Sequence, residues 1–208
     1  MAGVTMELWH EQDRHPGDRM LLFAAVADAF EIERVLYPGS WVDVAASFVF
    51  PDVVYVDTDS RAARFFADGA GVAELVEAKR RYAETPRIEF HAADYGSEFG
   101  AADRSFDLLV SLYAGFVSRA CARYLRGGGL LLVNNSHGDA SMASIDPGFE
   151  LIGAVNRHKD GYRLTTRNLG GYLVPKRDVR VTPELLEKTG KGVAYTRSPA
   201  AYLFRVRP

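Results

Sequence analysis

Short apolar runs alternate along the first two thirds of the chain with stretches of helical periodicity. The apolar runs predict strands at residues 34–39, 53–57, 88–93, 106–112 and 130–133. The stretches between them predict helices at residues 19–31, 41–50, 61–67, 72–83 and 116–126, the last ended by three glycines. The second run has no polar alternation, as expected for a strand covered on both faces. This alternation indicates an α/β fold with a parallel sheet and helices on both of its faces.

The pattern changes after residue 135. Residues 149–155 and 162–166 flank a turn that contains Asp160-Gly161, which predicts an antiparallel hairpin rather than another crossover. A helix near residues 182–189 and strands at 193–196 and 201–206 are predicted beyond it. Because no Ser/Gly-rich linker intervenes, we predict an α/β domain over residues 1–166 and a C-terminal extension, residues 167–208, packed on the same domain.

Composition narrows the class of protein. The 208 residues are 48% hydrophobic and 25% charged, which excludes a disordered, collagenous or coiled-coil chain. The single cysteine excludes an internal disulfide framework and favours a reducing compartment. The segment Met1 to Glu7 lacks the basic and apolar regions of a secretory signal, and no apolar run approaches the ~18 residues of a membrane span. We therefore expect a cytoplasmic protein that does not enter a membrane.

Charge is divided unevenly along the chain. Residues 1–156 carry 13 basic and 23 acidic side chains, whereas residues 157–208 carry 12 basic and 4 acidic ones. The basic part either packs against the acidic body or folds over the binding edge as a lid and substrate filter. Its cations are scattered and accompany no recognition motif, which argues against sequence-specific nucleic-acid binding. A small-molecule substrate is expected instead, and the sequence leaves the oligomeric state open.

Ligands of open α/β sheets bind beyond the carboxyl ends of the strands. A glycine in the first such turn, Gly39, would let the backbone approach a ligand closely. A carboxylate at the end of the second strand, Asp57, can accept both hydroxyls of a ribose, or it can cap the next helix together with Asp59. A polar group after the third strand, Asp94, can reach an adenine amine, or it can serve only a turn.

Several of these segments resemble a known family. Tyr55-Val-Asp57, Ala93-Asp94-Tyr95, Phe106-Asp-Leu-Leu-Val and Leu125-Arg-Gly-Gly-Gly-Leu-Leu-Leu-Val133 are similar to the corresponding segments of class I S-adenosylmethionine-dependent methyltransferases. The resemblance covers roughly residues 20–166. It implies a three-layer Rossmann-like methyltransferase fold, with a mostly parallel seven-stranded sheet closed by the antiparallel hairpin. It also implies S-adenosylmethionine as the cofactor and methyl transfer to an acceptor as the activity.

The resemblance assigns cofactor roles to particular residues. Gly39 would lie under the methionine portion, Asp57 would hold the ribose and Asp94 would contact the adenine. Ser40 and Tyr95, beside these residues, complete the expected cofactor contacts.

The family's first motif is altered in this chain. The motif has an acidic residue followed by glycines at alternate positions. Here Tyr37 stands at the acidic position, Gly39 remains, and Trp41 and Asp43 replace the later glycines. The alternative is therefore a catalytically degenerate methyltransferase-fold protein that serves as a ligand-binding or partner subunit.

Two residues are candidates for the catalytic side of the site. His137 could act as a general base oriented by Asp139, unless the segment is an exposed loop in which Asp139 caps residues 140–144. Tyr113, at the end of the fourth strand, could face the acceptor.

We predict no metal site. Metal-dependent O-methyltransferases place carboxylates after strands four and five, where this chain has Ser111 to Tyr113 and Asn134-Asn135. A hard cation would lose its preferred charged oxygens there, so we expect a metal-independent reaction.

Overall fold

The computed structural model describes residues 3–207. Met1 and Ala2, which begin the segment interpreted above as lacking a secretory signal, lie outside the described residues, as does Pro208. The chain divides into two compact units, Met1–Gly100 and Ala101–Pro208. None of the helices in the described range is long and apolar enough to cross a bilayer.

The first unit contains four helices and three strands. The helices are α1 (Val4–Gln12), α2 (Asp18–Ala27), α3 (Ser60–Ala67) and α4 (Gly69–Lys79). The strands are β1 (Arg34–Pro38), β2 (Asp52–Asp57) and β3 (Arg87–Ala92), which pair in parallel in the order β3-β2-β1. Residues 53–56 of β2 are fully buried, which confirms that this uninterrupted apolar run is a strand covered on both faces.

Aromatic rings connect the strands of the first unit to its helices. Tyr37 of β1, Tyr55 of β2 and Phe90 of β3 are aligned by the strand register, and Phe66 of α3 stacks on Phe90 at 4.6 Å between ring centroids. Tyr55 lies 6.0 Å from Tyr37 and 4.9 Å from Phe66, so the row of rings is continuous. The rings thus form one continuous apolar layer across the three strands.

The helix predicted over residues 41–50 is wrong. Only a short 3-10 helix, Ala45–Phe48, forms there. The reason lies at its predicted start, because Trp41 has a left-handed backbone with φ of 50° and cannot begin an α-helix in that conformation.

The second unit contains five strands and three helices. The strands are β4 (Phe106–Ser111), β5 (Leu125–Val133), β6 (Phe149–His158), β7 (Gly161–Thr165) and β8 (Ala201–Val206), in the order β4-β5-β8-β6-β7. The helices are α5 (Val117–Cys121), α6 (Asp139–Ile145) and α7 (Pro183–Thr189). β4 and β5 are parallel, whereas the other neighbouring pairs are antiparallel.

The helix predicted over residues 116–126 is much shorter in the structure. α5 ends at Cys121, a 3-10 turn follows, and β5 begins at Leu125, opposite Phe106 of β4. The three glycines therefore lie inside a strand and do not end a helix. Pairing with β4 outweighs the helical periodicity of this stretch.

The closing strands differ from the prediction in one respect. The predicted hairpin forms as β6 and β7, but the strand that pairs antiparallel with β5 is β8, from the predicted C-terminal extension. Residues 201–204 of β8 are buried, whereas β7 is only half-buried and pairs on one side. Among residues 3–207, the two units thus contribute eight strands rather than the predicted seven.

The remaining predictions for the extension have mixed outcomes. The predicted helix near residues 182–189 is confirmed as α7, which Thr182 caps by accepting the N–H of Leu185. The strand predicted at residues 193–196 is wrong, since only an isolated bridge joins Tyr195 to Pro175. The boundary at residue 166 stays a prediction.

Candidate functional site

The turn after β1 adopts two left-handed backbone conformations in close succession. Gly39 has φ of 63° and donates its N–H to the carbonyl of Val56 at 2.8 Å. Ser40 is buried, and Trp41 follows with φ of 50°. Glycine adopts such angles at little cost, but a bulky residue does so rarely and often at functional positions. The turn thus keeps a glycine-like backbone although Trp41 replaces a glycine.

Asp57 lies at the end of β2 with its carboxylate held in place by the backbone. Oδ2 accepts the N–H of Trp41 at 2.7 Å, and Oδ1 accepts the N–H of Asp59 at 2.8 Å. Asp59 caps α3 itself, by accepting the N–H of Arg61 at 2.7 Å. A carboxylate offers about four acceptor positions, so roughly two remain on half-buried Asp57 for a ligand.

The indole of Trp41 has a buried donor without an acceptor. Its Nε1 is shielded from solvent and has no hydrogen-bond partner among the described residues. The Arg61 guanidinium lies over the ring, 4.9 Å from its centroid. Trp41 also lines a polar cavity of about 300 Å³ together with His15 and Arg19. An unpaired buried N–H is costly unless a ligand supplies the acceptor.

Asp43 forms a buried polar cluster beside this cavity. Its Oδ2 accepts the hydroxyl of Tyr37 at 2.9 Å and forms an ion pair with Nε of Arg19 at 2.9 Å. Burial and the nearby Asp43 carboxylate raise the pKa of Tyr37 well above its ordinary value, so the phenol remains a donor. Arg19 was missed by the sequence analysis, since one cation on a predicted helix carries no signal.

Asp94 and Tyr95 lie just beyond the end of β3. Oδ1 of Asp94 accepts the N–H of Gly96 at 2.8 Å, and its carbonyl accepts the N–H of Ser97 at 2.9 Å. This is the turn role considered above as the alternative. The Asp94 side chain is exposed, so its second oxygen remains accessible, and its contact with an adenine stays a prediction.

These residues fit the cofactor that the fold implies. The turn of Gly39 and Trp41 leaves the backbone close to Asp57, and Asp57 keeps acceptor capacity. Trp41, whose buried indole N–H has no partner among the described residues, lines an adjoining cavity. The methionine portion of S-adenosylmethionine carries a carboxylate that such a donor would satisfy. Gly39, Ser40, Asp57, Asp94 and Tyr95, which the sequence resemblance assigns to the cofactor, all lie in the first unit.

Asp139 of the second unit is a buried structural carboxylate. Oδ2 accepts the Ser111 hydroxyl at 2.5 Å, and the Ser118 N–H donates to the same oxygen at 3.0 Å. The Ser118 hydroxyl donates to Oδ1. Burial raises the pKa of Asp139 above its usual value, against the opposing effect of these bonds.

The structure does not bring Asp139 to His137. No hydrogen bond joins the two among residues 3–207, and the Asp139 side chain does not cap its own helix, α6. It caps α5 instead, by accepting the N–H of Ser118 near the start of that helix. The expectation that Asp139 orients His137 is therefore wrong, and so is the expectation that it caps residues 140–144, because both oxygens serve α5 and β4.

Tyr113 and His137 lie in loops that share one side chain. Oδ1 of Asn134 accepts the N–H of Tyr113 at 3.3 Å and the hydroxyl of Ser136 at 2.9 Å. Tyr113 has φ of 64° and its side chain is 60% exposed, while His137 is also exposed. Asn134 thus joins the loop after β4 to the loop after β5, and both candidate residues are accessible at the carboxyl ends of these strands.

The basic extension returns to this same edge of the second unit. Asn135 donates to the carbonyl of Val193 at 2.9 Å, and Val193 donates its N–H to the hydroxyl of Ser141 at 3.1 Å. A Cβ on Gly192 would come within 2.2 Å of the Asn135 side chain, so no larger residue fits without movement. Residues 191–195, which we call the C-terminal strap, therefore lie against the loop after β5.

Among residues 3–207, no group of three or more His, Cys, Asp or Glu side chains is placed to hold a metal ion.

Comparisons with known proteins identify the fold. No family model matches the chain, and no curated protein matches it. A provisionally assigned O-methyltransferase from Klebsiella pneumoniae is similar in structure, with a TM-score of 0.53 and 13% identity over 100% of this chain and 91% of that one. An S-adenosylmethionine-dependent methyltransferase from Thermotoga maritima gives a TM-score of 0.49 and 11% identity over the full length of both chains.

A third solved structure is covered only in part. It is a provisionally assigned S-adenosylmethionine-dependent methyltransferase from Methanococcus maripaludis, with a TM-score of 0.48 and 16% identity. The match covers 64% of this chain and 63% of the Methanococcus protein, so this chain spans less than two thirds of that protein's length. The similarity to the Klebsiella pneumoniae structure, at 13% identity, shows the fold alone. The chain has the three-layer, Rossmann-like α/β fold of class I S-adenosylmethionine-dependent methyltransferases.

Proposed function

We propose that the chain is a methyltransferase that binds S-adenosylmethionine in its first unit and transfers the methyl group to a small-molecule acceptor. The observation that carries the proposal is the Asp57 carboxylate, which two backbone N–H groups hold at the end of β2 with acceptor positions to spare. Gly39, Ser40, Asp94 and Tyr95 are the other proposed cofactor contacts.

Each proposed contact has a physical role. Asp57 accepts the ribose hydroxyls, and its two backbone hydrogen bonds fix the carboxylate before the ligand arrives. The N–H of the Trp41 indole takes an acceptor of the amino-acid portion. The bound cofactor supplies an electrophilic methyl group on a sulfonium. The chain contributes positioning and water exclusion, which account for the absence of a strong catalytic motif in the sequence.

Tyr113 and His137, which both lie in the second unit, are the proposed catalytic residues. His137 is the base that removes a proton from the acceptor. Tyr113 presents an exposed ring, and its backbone N–H donates to Oδ1 of Asn134. Ser111 is already engaged by Asp139, and Asn134 by Tyr113 and Ser136, so these side chains are not proposed as metal ligands. The proposed reaction is metal-independent.

One observation favours a second candidate function. Arg61, anchored by Asp59 at 2.8 Å, lies over the Trp41 ring at the turn that the family keeps open with glycines. If this pair closes the site, the chain is a degenerate member that serves as a ligand-binding or partner subunit.

Calorimetric titration with S-adenosylmethionine and S-adenosylhomocysteine separates the two. The enzyme proposal requires heat from both ligands, and loss of it in Asp57→Ala. Asp52→Ala is the matched control, because Asp52 begins the same strand at its other end. No heat and no thermal shift at millimolar ligand would exclude the first proposal, whereas equal binding by both variants would refute the role of Asp57.

A further inference from the structure

Strand β3 ends the sheet of the first unit with an open edge. It pairs with β2 on one side, and no strand of the described chain pairs with its other side. Exposed edges of this kind readily add another strand, so natural proteins usually cover or disrupt them. β3 contains no proline and no bulge over its six residues. The edge is therefore able to accept a second strand.

An apolar groove of about 920 Å³ runs beside this edge. Ile88, Phe90 and Ala92 form its floor, and side chains of α3 and α4, among them Phe66 and Val72, form its wall. The opposite face of β3 carries Arg87, Glu89 and His91, because side chains alternate along a strand. A strand added at the edge would thus extend an apolar row on one face and a charged row on the other.

The charged row selects a partner and a register. A second copy of β3 could pair antiparallel about a two-fold axis, so that residues directly opposite share a face. With the axis at Glu89, two like charges would face each other, which is unfavourable. With the axis at Ile88, each Arg87 lies opposite the Glu89 of the other copy, and the two Ile88 side chains meet on the apolar face. The sequence of this edge is therefore self-complementary in that register.

The charges of β3 are available for such pairing. Arg87 is exposed and takes part in no ion pair within the described residues. Glu89 is 57% exposed and contacts His91 at 2.8 Å, which leaves its second oxygen for an arginine. Two Arg87–Glu89 contacts would form across the axis.

We propose that two copies of this chain associate through antiparallel pairing of their β3 strands about Ile88, so that the apolar grooves of both copies adjoin. In this register the two Ile88 residues exchange backbone hydrogen bonds, and each Phe90 N–H faces the carbonyl of Pro86 in the other copy, which has no N–H to return. The pairing also removes apolar surface from water, while the crossed charges set the register.

Charge reversal tests the proposal directly. Sedimentation equilibrium of the full chain should give a species of twice 23.0 kDa. Arg87→Glu and Glu89→Arg should each weaken association by about tenfold or more, since each places like charges opposite one another. The double variant Arg87→Glu/Glu89→Arg should restore it, because the crossed pairs form again with their signs exchanged.

A matched control lies in the second unit. Arg119 forms an exposed ion pair with Glu187, and Arg119→Glu should leave association unchanged. A monomer at every concentration would overturn the proposal. A dimer whose association constant is unchanged by both single substitutions would overturn it too, since another surface would then hold the two copies together. Failure of the double variant to recover would refute the Ile88 register.

Discussion

The backbone N–H of Trp41 donates to Oδ2 of Asp57 over 2.7 Å, which ties the turn after β1 to the end of β2. Trp41 adopts a backbone conformation typical of glycine in order to make this bond. A residue that is unusual for this turn thus preserves the turn's geometry. It also adds an indole whose N–H faces no acceptor in the described chain.

Trp41→Phe tests whether that N–H serves a ligand. The substitution keeps a ring beneath Arg61 but removes the unpaired donor. We expect the affinity for S-adenosylmethionine to fall about five- to tenfold, because the loss of one hydrogen bond costs ~1 kcal/mol. The free energy of unfolding should stay the same or increase, because the buried donor without a partner is removed. Calorimetry and urea denaturation measure the two effects. Unchanged affinity would show that the cofactor makes no use of the indole.

Gly192→Ala should detach the C-terminal strap. The new Cβ would lie 2.2 Å from the Asn135 side chain, so the hydrogen bond from Asn135 to Val193 must give way. We expect a loss of about 1–3 kcal/mol in the free energy of unfolding, as for other overpacked sites. Hydrogen exchange should increase near Val193.

Gly170→Ala is the matched control for the strap. A Cβ at Gly170 meets no atom within 4 Å, so stability should change little. Equal effects of the two substitutions would contradict a steric role for Gly192.

Asp139→Asn should change how stability depends on pH. Burial raises the pKa of Asp139, so the folded protein holds this proton more tightly than the unfolded chain does. The stability that this proton contributes is complete below the unfolded pKa and is lost as the pH rises through the folded pKa. The asparagine variant has no such loss, and it can still bond Ser111 and Ser118.

Urea denaturation across a pH series checks this sign. The free energy of unfolding of Asp139→Asn, minus that of the parent, should increase as the pH rises from about 4 to 7. A difference that stays constant with pH would mean that Asp139 has the same pKa in both states.

Substitutions at Tyr113 should report the backbone strain of its loop. Glycine and asparagine tolerate a φ of 64° far better than alanine does. Because the Tyr113 ring is 60% exposed, little packing is lost in any of the variants. We expect the free energy of unfolding of Tyr113→Gly and of Tyr113→Asn to be about 1 kcal/mol higher than that of Tyr113→Ala. Thermal or urea denaturation measures the difference. Equal stabilities would argue that the loop relaxes without cost.

The strands were predictable because their signal is local. Continuous apolar runs such as Val53 to Val56 identified β1 to β4 within a residue or two, and glycine or polar breaks marked their ends. Asp57 was found in the same way, as the carboxylate that directly follows an apolar strand.

The errors came from contacts between residues distant in the chain. The turn of Trp41 depends on Asp57, and the early start of β5 depends on pairing between Leu125 and Phe106. The carboxylate of Asp139 accepts a hydrogen bond from Ser111, which lies 28 positions earlier in the chain. The sequence around His137 carries no sign of that distant contact. The same holds for Arg19, whose partner, Asp43, lies in the loop after β1.

The central position of β8 affects the order in which the second unit can be completed. β8 lies between β5 and β6, yet it is synthesised about forty residues after β6 ends. Until residues 201–206 leave the ribosome, β5 and β6 each present an unpaired, largely apolar edge. Such nascent chains are prone to pair with one another. Yield in cells should therefore depend on synthesis rate and on chaperones that shield unfinished sheets.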